Sequence, residues 1–234
     1  MPPKILLVRF SAIGDILLMT PLIRALRKRH PEAGITVLTK ATFAPLLAHN
    51  PRLSEVIGWD TGAPLSELGQ RLRAGQFTHQ LDLHGSLRSR ALRWHAGGQW
   101  TTYPKYRIAR TLLIRTRKDL YRDRRPTAER YFEAASGLDV TPDDGSLECF
   151  LSRTSLQAAQ DFLTGKNLGV SRQLIALAPG AAHFTKRWPE HHWTALAQRL
   201  VELGNDVVVV GGPGDRAVSE RVARVADGVG DGAA

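Results

Sequence analysis

The feature that most constrains the fold is an alternation of short apolar runs with amphipathic segments of about ten residues or more. The first run, KILLVRF at residues 4–10, is nearly continuous, which is typical of a strand buried on both faces. Strands that alternate with helices form parallel sheets covered by helices, so the sequence predicts an α/β fold. Further strands are predicted at 35–40, 54–60, 78–84, 174–179 and 206–212, and helices at 16–29, 41–49, 64–74, 86–96, 126–137, 154–167, 189–203 and 215–226.

A turn-rich stretch, LDVTPDDGS at residues 138–146, predicts a domain boundary. The 234 residues suffice for one large or two small domains, and we assign them to domains at 1–150 and 151–234. The second domain contains only two convincing strands, which is too few to bury a normal α/β core. We therefore expect that this domain is truncated, or is completed by something outside the chain.

The composition is strongly basic. Lys and Arg number 32 against 22 Asp and Glu, giving a formal charge of +10, which indicates a polyanionic partner or surface. Ten basic and three acidic residues fall within residues 105–130, a segment predicted to be helical with an exposed basic face. The single cysteine, Cys149, excludes an internal disulfide, and the cytosol is the expected compartment. No uncharged apolar stretch approaches the length of a membrane span.

Ligands of open α/β sheets bind at the carboxyl ends of the strands, and several loops here occupy that position. The loop SAIGD, at residues 11–15, follows the first predicted strand. Asp15 is suited to act as a general base toward a substrate hydroxyl. The alternative is that it only caps the following helix, as Asp does at many helix N-termini. The residues alone leave both interpretations open.

Two loops of the second domain have a similar position. Lys186 and Arg187 precede a helix that begins near Pro189, where a cation and backbone N–H groups can hold a diphosphate. A solvated basic pair is the alternative. The loop GGPGDR, at 211–216, departs from GxGxxG, so a glycine turn without a ligand is as good an interpretation as a nucleotide contact.

The segment DLHGSLRSR, at residues 82–90, is a fourth strand-to-helix loop. Ser86 is suited to begin the helix, whereas Arg88 or Arg90 is suited to meet an anionic acceptor. His84 lacks an Asp or Ser partner at the spacing of any hydrolase motif, so a catalytic triad is not supported. No Cys/His zinc spacing and no Asp-x-Asp pair occurs, and we predict no metal site.

Three stretches together resemble glycosyltransferase family nine, the ADP-heptose:lipopolysaccharide heptosyltransferases. They are KILLVRFSAIGDILLMTPLIRALRKRHP, then DLHGSLRS, and then PGAAHFTKRWPEHHWTALAQRL with VVVVGGPGD. Their order matches the family, and the resemblance covers essentially the whole chain. It implies a GT-B architecture, in which two Rossmann-like domains face each other across a cleft. The first takes the acceptor and the second, which we expect to be truncated here, takes the nucleotide sugar.

The resemblance also implies roles for single residues. Asp15 matches the Asp of the SxxGD motif, the proposed catalytic base, and Lys186 matches the Lys of KxWP, which contacts the donor diphosphate. Asp215 or Glu220 corresponds to an acidic residue that often holds the ribose. The predicted donor-binding residues are Gly180, Thr185, Lys186, Arg187, Gly212 and Asp215, and the predicted acceptor-binding residues are Ser11, Gly14, His84, Arg88, Lys105 and Arg117.

The implied function is an inverting, metal-independent transfer of heptose from ADP-heptose to the lipopolysaccharide inner core or a related glycan. No cofactor beyond the donor substrate is expected. The basic stretch at 105–130 fits an anionic acceptor and peripheral contact with the cytoplasmic face of the inner membrane; its plain alternative is a solvated helix face.

Other functions remain as alternatives. Family members are longer, and an Asp-Ser-Gly…His segment that they carry is not found here, so the first alternative is an inactive remnant that binds only an anionic glycan acceptor. A nucleic-acid-binding protein is also basic, but no helix-turn-helix, zinc-finger or RNP-type motif occurs, and we expect no nucleic-acid partner. A nicotinamide dehydrogenase is disfavoured because SAIGD stands where GxGxxG is expected.

Overall fold

A computed structural model of the chain describes residues 1–121 and 123–226. The chain divides into two compact units, Met1–Ser152 and Arg153–Ala234. Parallel strands form a five-stranded sheet in the first unit, in the order β3-β2-β1-β4-β5. These strands are β1 Lys4–Val8, β2 Gly34–Lys40, β3 Glu55–Trp59, β4 His79–Asp82 and β5 Trp100–Thr102.

Strand β1 lies in the middle of this sheet because its residues are apolar on both faces. Ile5 and Leu7 contribute to one buried cluster, and Leu6 and Val8 contribute to another. All four side chains are fully buried, and each such burial stabilises the fold by about 1.5–3 kcal/mol. The predicted α/β class with a parallel sheet is therefore confirmed.

Helices connect the strands in both units. Among the described residues, no helix is both long enough and apolar enough to cross a membrane. The α-helices are α1 Ile13–Leu17, α2 Thr20–Arg29, α3 Leu65–Ala74, α4 Leu87–Ala96, α5 Arg107–Thr116, α6 Thr127–Arg130, α7 Arg153–Gly165, α8 Glu190–Glu202 and α9 Arg216–Ala226. The 3₁₀ segments are Ala41–Leu46, Tyr131–Leu138, Phe184–Lys186 and Pro213–Asp215.

The single helix predicted over residues 16–29 is wrong, because the structure has α1 and α2 in its place. Pro21, in the first turn of α2, has no N–H to donate to the carbonyl of Leu17. The hydroxyl of Thr20 donates to that carbonyl instead, at 2.8 Å. The break sets α1 apart as a short helix directly after β1.

The predicted helical character of residues 105–130 is only partly correct. Helix α5 ends at Thr116, where Arg117 adopts a left-handed conformation with φ of 56°, and helical structure resumes at Thr127, after Pro126. Residues 117–121 and 123–126 are irregular, and Arg122 lies outside the described residues. The short strand β5 was not predicted, because its three residues, WTT, are too few to show the alternation of side chains typical of a strand.

Ion pairs bind the predicted boundary segment and Glu148, which follows it, to the rest of the first unit. The guanidinium of Arg24 donates to both carboxylate oxygens of Asp143, at 2.6 and 2.7 Å, and to the carbonyl of Ser146, at 2.8 Å. The carboxylate of Glu148 accepts from Arg52 at 2.7 and 2.8 Å. The turn-rich segment is thus held by ion pairs to the body of the first unit.

The second unit contains a two-stranded parallel sheet within its described residues, β6 Leu174–Leu177 and β7 Asp206–Val209. Its buried cluster is small and centres on Leu177, Ala197 and Val222. This agrees with the expectation from the sequence that the unit has few strands.

We predict that Gly69→Ala destabilises the first unit. Gly69 lies where α3 packs against α4, and an added Cβ would overlap the Cβ of His95 and approach its carbonyl carbon to 2.9 Å. Overpacking of this kind costs about 1–3 kcal/mol of unfolding free energy. Urea unfolding measures it, with Gly137→Ala as the control because nothing lies within 4 Å of a Cβ built there. Equal midpoints for the two variants would contradict the prediction.

Candidate active site

Asp15 lies at the carboxyl end of β1, in the first turn of α1. The N-cap position of α1 is Ala12, which makes no side-chain capping bond, and the carboxylate of Asp15 instead forms an ion pair with Arg9. The Asp15 side chain is 38% exposed. Its carboxylate is therefore oriented by the protein and still reachable by a ligand.

Arg9 connects this carboxylate to the sheet. The residue directly follows β1 and is buried, with its side chain 8% exposed. Its Nη1 donates to the carbonyl of Leu83 at 2.7 Å, while Nη2 contacts the Asp15 carboxylate. Because one planar guanidinium makes both contacts, the position of Asp15 is fixed relative to the strand ends.

A cavity of about 830 Å³ opens in front of Asp15, within the first unit. It is lined by Arg9, Asp15, Tyr103, Lys105, Arg107, Arg110, Thr111, Ile114, Tyr121 and Arg130. Five of these side chains are cationic, and Asp15 carries the single carboxylate among them. Helix α5 contributes Arg107, Arg110, Thr111 and Ile114, which share one face at helical spacing. The cavity suits a polyanionic ligand that presents a hydroxyl group to Asp15.

The loop after β4 is built around a fully buried carboxylate. Asp82 accepts hydrogen bonds from the backbone N–H groups of His84, at 3.0 Å, and Gly85, at 2.7 Å, and from the hydroxyl of Ser89, at 2.9 Å. Ser86 and Ser89 form a capping box that begins α4, as one interpretation of the sequence expected. Lys105 Nζ donates to the carbonyl of His84, which holds this lysine at the cavity.

The ring of His84 packs 5.0 Å from the ring of Phe10, and its Nδ1 is buried with no hydrogen-bond partner among the described residues. Burial, reinforced by the positive charges of Arg9 and Lys105, lowers the pKa of His84 to about 4. The imidazole is neutral at pH 7 and is absent from the residues that line the large cavity. Burial, with Arg9 next in size, also lowers the pKa of Lys105.

Two tyrosines pack edge to face close to the ion pair. The ring centroids of Tyr103 and Tyr131 are 4.8 Å apart, and both side chains are buried. Burial is the main cause that raises the pKa of each phenol. Both groups therefore stay protonated at neutral pH, and Tyr103, which lines the cavity, can donate a hydrogen bond to a ligand.

Four of the other residues predicted to bind the acceptor are not among the described residues that line this cavity. Ser11 and Gly14 lie in the loop beside Asp15, and nothing stands within 4 Å of a Cβ built on Gly14. Arg88 lies over the ring of Trp59, 5.6 Å from its centroid, and Arg117 follows the last turn of α5. None of these four lines the cavity, whereas Lys105 does.

The second unit has a cavity of its own, of about 690 Å³. Predicted donor residues Gly180, Thr185, Arg187 and Asp215 line it, and the aromatic side chains of Phe184 and Trp188 lie among them. Lys186 is exposed and is not part of the lining. The cavity combines flat aromatic surfaces with a guanidinium group, a chemistry suited to a planar ring that carries phosphate.

Asp215 holds its own loop together. Its Oδ2 accepts from the backbone N–H of Gly212 at 3.2 Å, and its carboxylate occupies the space that a Cβ on Gly180 would take. Nε of Arg187 donates to the carbonyl of Ala181 at 2.7 Å. Glu220, the other acidic candidate, pairs with Arg216 at 2.8 Å.

Comparisons with known proteins agree with this architecture. Residues 65–231 match the family model described as glycosyltransferase family 9 (heptosyltransferase). Lipopolysaccharide heptosyltransferase 2 of Escherichia coli K12 is 28% identical over 235 residues, and lipooligosaccharide heptosyltransferase 2 of Haemophilus influenzae is 28% identical over 237 residues. Each alignment includes 94% of this chain, and the chain spans only 66% of the length of each relative.

Solved structures of similar fold cover nearly the whole chain. A family 9 glycosyltransferase from Veillonella parvula is 25% identical with a TM-score of 0.77, covering 95% of this chain and 66% of its own. The ADP-heptose lps heptosyltransferase II of E. coli is 26% identical with a TM-score of 0.70, covering 94% of this chain and 67% of its own. The predicted GT-B fold is therefore confirmed, in a chain shorter than these proteins.

We predict that His84 makes stability depend on pH. The pKa of His84 is about 4 in the folded chain and near 6.5 when unfolded. Between these values the unfolded chain binds a proton that the folded chain does not, so stability falls as the pH drops from 6.5 toward 4. His84→Gln removes this contribution. Urea unfolding across this range should show a shallower pH slope for the variant, and identical slopes would contradict the prediction.

Proposed function

Because the chain belongs to glycosyltransferase family 9, we propose that it transfers a heptose from ADP-heptose to the lipopolysaccharide inner core or a related glycan. The observation that carries this proposal is the Asp15 carboxylate, held by Arg9 and facing a cavity with five cationic side chains. The curated relatives bear the names of lipopolysaccharide and lipooligosaccharide heptosyltransferases. An acceptor that carries phosphates or carboxylates together with reactive hydroxyl groups fits such a cavity.

In the proposed mechanism, Asp15 removes the proton from one hydroxyl of the acceptor sugar. The freed oxygen forms a bond to the anomeric carbon of the donor, on the face opposite the nucleotide, while the bond from that carbon to the diphosphate breaks. The bonding pair leaves with ADP, and the single displacement inverts the anomeric centre. No metal ion takes part in this scheme, because cationic side chains and backbone N–H groups stabilise the charge that develops.

Each group around Asp15 has a part in this scheme. Arg9 orients the base, and Lys105, Arg107 and Arg110 hold the anionic groups of the acceptor by charge-assisted hydrogen bonds. Ile114 supplies apolar contact with the sugar ring. A base that is fixed in this way abstracts a proton without first reorganising its surroundings.

The second unit is proposed to bind the donor. Phe184 and Trp188 offer flat surfaces to the adenine, and Arg187 lies beside them. Lys186, exposed and placed before the N-terminus of α8, is proposed to neutralise the diphosphate as it departs. We further propose that the protein acts at the cytoplasmic face of the inner membrane, where a lipid-linked acceptor would be found.

The role of Asp15 predicts the effect of Asp15→Asn. In a form extended to the length of the relatives, turnover should fall about a hundredfold or more, since the amide accepts no proton, while ADP affinity stays nearly unchanged. Initial rates of heptose transfer and calorimetric ADP titration measure the two quantities. Glu32→Gln, an exposed acidic position of the same unit, is the control. Undiminished turnover in the Asp15 variant would exclude this residue as the base.

The role of Lys186 predicts weaker donor binding in Lys186→Ala. The loss of one hydrogen bond to a charged group should lower ADP affinity about ten- to a hundredfold, as measured by calorimetry on the chain itself. Lys166→Ala, an exposed lysine of the same unit, should bind ADP like the wild type. If the wild-type chain binds an acidic glycan but not ADP, the acceptor-binding remnant becomes the better description.

A further inference from the structure

Helix α4 carries an apolar ridge on its solvent side that belongs to none of the buried clusters formed by the described residues. Leu87 and Trp94 are seven residues apart and so share one face of the helix, and they are 78% and 80% exposed. Ala91, between them on the same face, is exposed as well. The buried positions of α4 are Ser89, Leu92 and Ala96 on its other side. The ridge is therefore not needed for packing within the first unit.

Cations flank this ridge. Arg88 and Arg90 are exposed beside Leu87 and Trp94, and α4 contains no Asp or Glu. Arg90 also lines a crevice of about 220 Å³ together with Arg107 of α5. The next residue of α5, Ile108, is 79% exposed. Leu87 and Trp94 are thus exposed beside arginines of α4, and Ile108 is exposed next to Arg107 on α5.

This combination is complementary to the surface of an anionic bilayer. Tryptophan prefers the boundary between headgroups and acyl chains, and leucine and isoleucine gain from entering it. Arginines beside them attract anionic headgroups. A second copy of the chain fits less well, because a symmetric contact through α4 would bring like charges together. We propose that the first unit docks on anionic membranes through the α4 ridge, with Leu87 and Trp94 inserted at the headgroup level.

Membrane contact through the α4 ridge would use other residues than those that line the cavity in front of Asp15. Lys105, Arg107, Arg110 and Arg130, which belong to the basic stretch, line the cavity in front of Asp15. Leu87 and Trp94 do not line it. The docking proposal deepens the membrane location proposed above by naming the surface that makes the contact. It does not depend on heptose transfer, because vesicles that contain no lipopolysaccharide test it whether or not the chain transfers heptose.

Co-sedimentation of the full chain with phosphatidylcholine vesicles, with and without 30 mol% phosphatidylglycerol, tests the docking. We expect the wild type to bind only vesicles that contain the anionic lipid, and to bind them less as salt is added. Neutralising one basic residue, as in Arg90→Gln, should lower partitioning about fivefold. The double variant Leu87→Ser with Trp94→Ser should partition at least tenfold less. The matched control is Leu156→Ser with Phe162→Ser on α7, where both side chains are also more than half exposed. It should bind like the wild type.

A second measurement locates Trp94 and does not depend on loss of binding. Brominated phosphatidylcholine in the anionic vesicles should quench part of the tryptophan fluorescence of the wild type. Trp94→Phe should bind within about twofold, because an aromatic ring is retained, and should lose that quenching. Binding that ignores phosphatidylglycerol, equal binding by the ridge variant and its control, or quenching that survives in Trp94→Phe would each overturn the proposal. So would a concentration-dependent dimer that the ridge substitutions abolish.

Discussion

The rest of the first unit depends on the burial of β1 on both faces. Four successive apolar side chains have no exposed surface, and they can be covered only if strands flank β1 on either side and helices cover the sheet above and below. Once β1 is central, the residue that follows it emerges at the middle of the carboxyl edge. That residue is Arg9, and its bonds to Leu83 and Asp15 place a carboxylate at this edge.

Much of the fold was predictable from the sequence because the strands are short apolar runs bounded by turn residues. The predicted strands at 4–10 and 206–212 contain β1 and β7, and the predicted helix at 154–167 overlaps α7, which begins one residue earlier at Arg153. The wrongly predicted helix boundaries have physical causes that the spacing of apolar residues does not show. Pro21 divides a continuous amphipathic segment into two helices. Arg117 ends α5 in a left-handed conformation, which arginine rarely adopts.

The candidate site was predictable only in part. Asp15 and Lys105 were named from the sequence and lie at one cavity, but Arg9, Tyr103 and Arg110 were missed. Arg107, Arg110 and Ile114 have helical spacing, so the sequence could have predicted that they share the face of α5 that lines the cavity. No local pattern could have shown that Arg9 would turn from a buried strand end toward Asp15, because that contact depends on the position of Leu83, 74 residues away.

The charge of the cavity in front of Asp15 has a practical consequence for work in solution. Five cations around one carboxylate attract small oxyanions, since guanidinium groups bind phosphate and sulfate in a bidentate geometry. Inorganic phosphate in a buffer is therefore expected to compete with the proposed anionic acceptor for these cationic groups. Acceptor affinities measured in phosphate and in a zwitterionic buffer of equal ionic strength should differ, and only the second reports the intrinsic affinity of the protein.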